Sequence, residues 1–134
     1  MATSKVEYLG DLRTKCTHLK SGVEIITDAP TDNNGKGEAF SPTDLLATSY
    51  ASCLITIVGI YCNAHDITFE FCESEVTKTM GANPRRISRL DIFLDFSKNK
   101  WDEKTQVKIQ HVGEACPVAK SVDLEMEIEI TYLF

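Results

Sequence analysis

The sequence lacks several patterns that assign a chain to a familiar class. It has no Cys-x-x-Cys pair, so neither a zinc ribbon nor a thioredoxin-type motif is predicted. It also lacks a basic excess, because 14 Lys and Arg stand against 20 Asp and Glu, for a net charge of −6. Such a field repels phosphate backbones, so we expect no nucleic-acid partner.

The first residues carry the charges of Lys5 and Glu7, with no apolar run and no small-residue cleavage site. They do not resemble a secretory signal, and we expect a cytoplasmic protein. The cysteines are odd in number and widely spaced: Cys16, Cys53, Cys62, Cys72 and Cys116. In a chain of 134 residues, large enough for its own core, this spacing predicts reduced thiols rather than a disulfide framework.

Composition and the pattern of apolar residues predict one globular α+β domain over residues 1–134. Hydrophobic residues make up 43% and charged residues 25%, which is ordinary globular usage. Alternating segments at 5–9, 12–19 and 23–27 predict a small antiparallel meander, and those at 67–79 and 86–96 predict a hairpin. A helix over 101–113 capped by Asp102, a short helical turn from Pro117, and a strand over 124–132 complete the predicted order.

A long uncharged stretch follows a strong helix-start signal. Ser41 is the predicted N-cap, Pro42 the first helical residue, and Asp44 the carboxylate near the positive end of the dipole. Residues 45–62 carry no charge and reach the length of a membrane span. Polar side chains such as Thr48 and Ser52 dilute the stretch and no basic cluster orients it, so we predict a buried central helix and no membrane.

A helix that is apolar on all sides cannot be covered by one sheet. A second copy of the chain could cover it, so we predict a homodimer. The alternative is a monomer whose sheet curls around the helix.

Two cysteines are candidates for chemistry. Cys53 shares its helix face with Leu46, Tyr50 and Ile57, and a thiol in such surroundings is inert unless a cation or donor lies near it. Simple packing is therefore the alternative for Cys53. Cys116 precedes a predicted helical turn, where exposed N–H groups and a nearby lysine lower a thiol pKa, so we expect Cys116 to favour thiolate chemistry.

Other polar groups give weaker hypotheses. Zinc could be bound by two pairs of residues, Cys62 with His65 and Cys16 with His18. Their spacing does not show four ligands that converge on one ion, so we expect no metal. His111 is either a base near Cys116 or a solvated surface histidine.

Two segments together resemble a known family. SPTDLLATSYASC, which ends at Cys53, and CPVAKSV, which begins at Cys116, resemble the OsmC/Ohr family of osmotically inducible and organic hydroperoxide resistance proteins over essentially the whole chain. The resemblance implies antiparallel sheets around a long buried central helix. It also implies an intertwined homodimer whose central helices pack at its middle.

The resemblance further implies a thiol peroxidase. Cys53 would attack a small organic hydroperoxide, and Cys116 would resolve the resulting sulfenic acid to a disulfide. An external dithiol would reduce that disulfide, without any metal or organic cofactor. Leu46, Tyr50 and Ile57 would wall an apolar substrate pocket.

The chain departs from the catalytic members at the activating pair. Those members carry an arginine in the loop before the long helix and a glutamate right after its proline, where this chain has Thr43. Arg13 is the candidate replacement cation, with Asp44 as the carboxylate that orients it. A noncatalytic or weakly active dimer that binds a small apolar ligand is therefore the alternative function, and a zinc-stabilised structural domain is a third hypothesis.

Overall fold

The computed structural model describes residues 1–134, and the chain divides into two compact units, residues 1–46 and 47–134. Strands and helices are both present, which confirms the α+β class. That the two units form one domain stays a prediction. The elements are β1 (Ser4–Gly10), β2 (Arg13–His18), β3 (Glu24–Asp28), α1 (Pro42–Ala64), β4 (Glu73–Gly81), β5 (Arg86–Asp95), α2 (Glu103–Gly113) and β6 (Glu127–Leu133).

The N-terminal unit is the predicted antiparallel meander, in the order β1-β2-β3. Cys16 pairs with Val6 on one side and with Ile25 on the other, so these three side chains share a face. Val6 and Ile25 on that face are exposed, as is Tyr8. The meander therefore leaves apolar surface uncovered.

The second unit contains a sheet in the order β4-β5-β6. β4 runs antiparallel to β5, as the predicted hairpin requires. β6 runs parallel to β5, with Ile92 opposite Ile130, so the expectation of purely antiparallel sheets is wrong for this sheet. The reason is the crossover through α2, which returns the chain to the end of the sheet where β5 began.

α1 begins with a reciprocal cap. The Ser41 hydroxyl accepts a hydrogen bond from the Asp44 backbone N–H at 3.1 Å, and the Asp44 carboxylate accepts one from the Ser41 N–H at 2.9 Å. Pro42 is the first helical residue. The predicted helix start is confirmed.

Only one side of α1 is buried. Its buried residues are Ala47, Tyr50, Ala51, Leu54, Val58 and Cys62, and they join the core with β5 side chains such as Leu90 and Ile92. The other side, which includes Ser52, Thr56 and Ile60, is exposed. By length and composition α1 could cross a membrane, since its mean hydropathy reaches 1.8, but its buried side is part of this core. The long helix is thus central, but buried on one face only.

The strand predicted over 67–79 begins only at Glu73. Before it, the Asn99 side chain accepts hydrogen bonds from the N–H groups of Glu70 and Phe71 and donates one to the Phe71 carbonyl. A side chain therefore satisfies backbone groups that a neighbouring strand would otherwise pair.

The predictions for the segments on either side of Cys116 are confirmed. Asp102 caps α2 as predicted, because its carboxylate accepts from the Thr105 N–H at 2.8 Å. After Pro117 the chain makes the predicted short helical turn, in which the Lys120 N–H donates to the Cys116 carbonyl at 3.4 Å.

Candidate functional site

Cys53 and Cys116, far apart in the sequence, meet in the second unit. The Cys53 side chain is close enough to raise the pKa of the Cys116 thiol, and both cysteines are free. Cys53 comes from the middle of α1 and is half-buried, whereas Cys116 follows α2 and is 0% exposed. A reagent from solvent can therefore reach Cys53 more readily than Cys116.

The environment of Cys116 contains two opposing influences on its acidity. Its sulfur accepts a hydrogen bond from the Ala119 N–H at 3.3 Å, and together with the Val118 N–H this lowers the pKa. Burial raises the pKa more strongly, and the neighbouring Cys53 raises it further. The net pKa of Cys116 lies above its ordinary value, so the expected low pKa is wrong and Cys116 is a neutral thiol at neutral pH.

Two tyrosines have a pKa that is raised in part by Cys116. Tyr50 lies one turn before Cys53 on α1, and its pKa is raised by burial and then by Cys116 and Cys53. Tyr132 on β6 has a pKa raised to about 12 by burial and by Glu114, Tyr50 and Cys116. Both phenols therefore stay protonated over the physiological range.

Tyr132 was not singled out from the sequence. Its parallel register on β6 opposite Leu94 brings its ring into an aromatic group with Phe96 and Phe134. The alternating pattern of the last strand puts Tyr132 on the same face as Ile128 and Ile130, and this signal could have found it.

The predicted activating residues belong to the N-terminal unit. Arg13 forms an ion pair with Glu38, whose carboxylate oxygen lies 3.4 Å from Nη1. Asp44 accepts the capping hydrogen bond at the start of α1, and the Thr43 hydroxyl lies 3.2 Å from that of Ser41. Glu38 was not singled out from the sequence, and it lies 25 residues from Arg13 in a loop.

Of the three predicted pocket residues, Tyr50 lies by the sulfurs, Ile57 is half-buried against the core, and Leu46 is 40% exposed. An open groove of about 350 Å³ lies between α1 and β4 and includes none of these three. Its lining residues are Thr48, Ala51, Ser52, Ile55, Thr56, Ser74 and Val76.

The residues considered as zinc ligands form other interactions in the structure. Cys62 is in the core, the His65 ring bonds the Tyr61 carbonyl at 2.9 Å, and the His18 ring bonds the Ser21 hydroxyl. No group of three or more His, Cys, Asp or Glu side chains converges as a metal site. His111 is exposed in the last turn of α2.

Comparison with known proteins gives a consistent result. Residues 35–131 match the family model described as OsmC-like protein. A protein of Psychrobacter arcticus 273-4, named for an osmotic stress induced and detoxification response, is 52% identical over 98% of this chain and 96% of its own, with a TM-score of 0.93. No curated protein matches the chain.

More distant structures share the fold. The organic hydroperoxide resistance protein OhrB of Bacillus subtilis has a TM-score of 0.69 at 16% identity, covering 98% of each chain. A Vibrio cholerae protein, named for organic hydroperoxide resistance and holding captopril in one of its active sites, has a TM-score of 0.75 at 12% identity, covering 98% of this chain and 92% of its own.

Proposed function

The chain belongs to the OsmC-like protein family, and we propose that it is a thiol-dependent peroxidase that reduces organic hydroperoxides. Relatives named for hydroperoxide resistance support a general peroxidase or redox role. The observation that carries the finer proposal is the proximity of the Cys53 and Cys116 side chains, through which Cys53 raises the pKa of Cys116.

The proposed reaction is sulfur redox chemistry. The Cys53 thiolate attacks the distal peroxide oxygen, the O–O bond breaks, and the alcohol leaves a sulfenic acid on Cys53. The Cys116 thiol then condenses with this sulfenic acid, releasing water and forming a disulfide. An external dithiol reduces the disulfide by exchange and restores both thiols.

The unequal burial of the two sulfurs supports this division of roles. The half-buried Cys53 can meet a peroxide, whereas Cys116 has no exposed surface. Cys116 is also held neutral by its surroundings and is therefore a poor first nucleophile. The proximity of the two thiols, through which Cys53 raises the pKa of Cys116, supports condensation between them.

Activation of the Cys53 thiol is proposed to depend on the residues that the sequence suggested. Arg13 is the proposed cation that stabilises the thiolate, with Asp44 and Thr43 as supporting residues. The ion pair with Glu38 supports this role, because it provides a carboxylate that orients the Arg13 guanidinium.

The active form is proposed to be a cytoplasmic homodimer. The exposed side of α1, with Ile60 59% exposed, and the exposed apolar face of the meander support this, because a second copy can cover both. Reduced cysteines fit the cytoplasm.

Peptide mapping tests the proposed function. After one equivalent of cumene hydroperoxide, we expect a Cys53–Cys116 disulfide in the wild type and in Cys72→Ser, a matched control at another half-buried cysteine. Cys53→Ser should prevent the linkage. Free thiols at both positions in treated wild type would contradict the peroxidase.

The alternative is a noncatalytic module that binds a small apolar ligand at the same place. Thr43 favours it, because the catalytic members carry a glutamate at that position. Under this alternative the wild type consumes negligible hydroperoxide, and Cys53→Ser binds an apolar fluorescent probe as tightly as the wild type does.

A further inference from the structure

Reduction of the proposed Cys53–Cys116 disulfide can begin at either of its two sulfurs. The attacking thiolate approaches along the S–S axis, from the side opposite the sulfur that leaves. Its rate depends on access to the sulfur that is attacked and on how readily the other sulfur leaves as a thiolate. Access from solvent and the stability of the departing thiolate therefore decide between Cys53 and Cys116.

Access differs between the two cysteines. Cys53 lies in the middle of α1 and is half-buried, whereas Cys116 has no exposed surface. Cys116 also belongs to the core cluster, together with residues such as Leu54 and Ile109. A reductant can therefore reach the Cys116 sulfur only by displacing core side chains, whereas Cys53 is open to it.

The turn that follows Cys116 keeps this residue in place. The Lys120 N–H donates to the Cys116 carbonyl at 3.4 Å, and the Ser121 hydroxyl donates to the Pro117 carbonyl at 2.8 Å. Because these hydrogen bonds close the turn on itself, formation of the disulfide does not require Cys116 to move to the surface. The Cys116 sulfur therefore remains covered in the disulfide form.

The same turn also provides a hydrogen-bond donor for a sulfur that leaves. The Ala119 N–H donates to the Cys116 sulfur at 3.3 Å. Negative charge develops on the leaving sulfur as the S–S bond breaks, and hydrogen bonds to charged acceptors are the stronger ones. In the middle of α1 the backbone N–H groups are paired along the helix, so none is available to the Cys53 sulfur.

Burial has two effects on a Cys116 sulfur that leaves. It raises the pKa of the thiol, and a less acidic thiol leaves more slowly. This slows the reaction but does not give the reductant access to Cys116. After release, the same burial favours the neutral thiol, which attacks a mixed disulfide only slowly. A mixed disulfide on Cys53 therefore persists until a second thiol of the reductant resolves it.

We infer that the external dithiol attacks Cys53 and that Cys116 is the leaving group, an inference that rests on the proposed function. A thiolate of the reductant bonds to the Cys53 sulfur, the S–S bond breaks, and its electron pair leaves on the Cys116 sulfur, which takes up a proton. The second thiolate of the reductant then attacks the reductant sulfur joined to Cys53 and displaces the Cys53 thiolate. The reductant loses two electrons and becomes a cyclic disulfide, and the protein regains both thiols.

A monothiol tests this assignment, because one molecule of it stops at the mixed disulfide. The disulfide form is prepared with cumene hydroperoxide and, in parallel, with diamide, an oxidant that requires no peroxide chemistry. Each sample is mixed with N-acetylcysteine and quenched with acid, and the free thiols are blocked with N-ethylmaleimide in urea at mildly acidic pH. Peptide mass spectrometry locates the adduct. Several quench times show whether it forms directly on Cys53 or moves there from Cys116.

We expect the N-acetylcysteine adduct on Cys53 in about tenfold excess over Cys116 from the earliest quench time, with Cys116 recovered as the blocked thiol. Cys72 is an internal control, because it is half-buried like Cys53 but lies outside the disulfide and should carry no adduct. The matched control is the same disulfide form unfolded in urea. Both sulfurs are then exposed, and the two adducts should form in comparable amounts.

Two results would overturn the inference. An adduct that forms first on Cys116 in the folded protein would show that the reductant reaches the buried sulfur. Equal distributions in the folded and the unfolded protein would show that burial does not direct the attack. The proposed function fails separately if diamide gives the disulfide and cumene hydroperoxide does not, and the diamide sample then still shows which sulfur is attacked.

Discussion

At the scale of single residues, the acidity of Cys116 sets the pH at which the proposed disulfide closes. Its pKa is raised from 9.0 by burial first, and the two backbone N–H groups only partly offset this effect. Because the thiolate is the nucleophile in exchange and condensation at sulfur, the closing rate follows the fraction of Cys116 that has lost its proton.

We therefore predict that disulfide closure, once Cys53 is oxidised, accelerates about tenfold per pH unit and keeps rising through the ordinary thiol pKa of 9.0. The sign follows from the raised pKa, since a group that holds its proton more tightly ionises later as pH increases. Rapid mixing with cumene hydroperoxide, alkylation of the remaining thiols and mass spectrometry measure the rate. A rate that levels off below pH 9.0 would show that Cys116 is not held neutral.

The error over Cys116 shows what a sequence can say about one side chain. The residues after Cys116 correctly indicated N–H groups near its sulfur, and the Ala119 contact at 3.3 Å confirms them. Its complete burial depends on packing against distant elements, which no local pattern records. Burial was the larger influence, so the net direction was wrong.

At the scale of elements, local signals predicted helix starts well. The reciprocal cap of Ser41 and Asp44 and the Asp102 cap both involve residues three apart, so a short stretch of sequence contains the whole interaction. The alternating pattern likewise identified β5 and β6. It did not give the direction of β6, because alternation fixes the faces of a strand and not the neighbour beside which it lies.

Residues 67–72 were predicted to be part of a strand, and a long-range contact explains why they are not. Its alternation continues that of β4, but its backbone is satisfied by Asn99, at 2.8 Å from the Glu70 N–H and 29 residues away. Phe69 packs near Trp101 in the same region. Extended backbone fixed by a distant side chain cannot be distinguished from a strand by its pattern alone.

The cap of α1 has a measurable contribution to stability. We predict that Ser41→Ala lowers the free energy of unfolding by about 1 kcal/mol, because the Asp44 N–H loses its acceptor. Urea denaturation followed by circular dichroism measures the change. Ser52→Ala, on the exposed side of the same helix, is the control and should leave stability unchanged or slightly higher, since alanine favours helices. An equal decrease in the free energy of unfolding in both variants would contradict a stabilising role of the cap.

At the scale of the whole molecule, the exposed side of α1 is the feature that one chain leaves unexplained. Two aliphatic side chains on helices are similarly exposed: Ile60 on α1 at 59% and Val107 on α2 at 66%. Burial of an aliphatic side chain contributes about 1.5–3 kcal/mol, whereas a lysine buried there without a partner is costly. If a second copy packs on α1, a lysine at Ile60 must weaken the assembly and one at Val107 must not.

We therefore predict that the wild type is a dimer at micromolar concentration, that Ile60→Lys shifts it towards monomer, and that Val107→Lys remains dimeric. Size-exclusion chromatography with light scattering gives the mass, and circular dichroism checks that each variant is folded. A monomeric wild type would exclude the homodimer. A dimeric Ile60→Lys would instead require an interface that leaves this part of α1 exposed. The chain would then be a dimer, but the second copy would not be what covers the exposed side of α1.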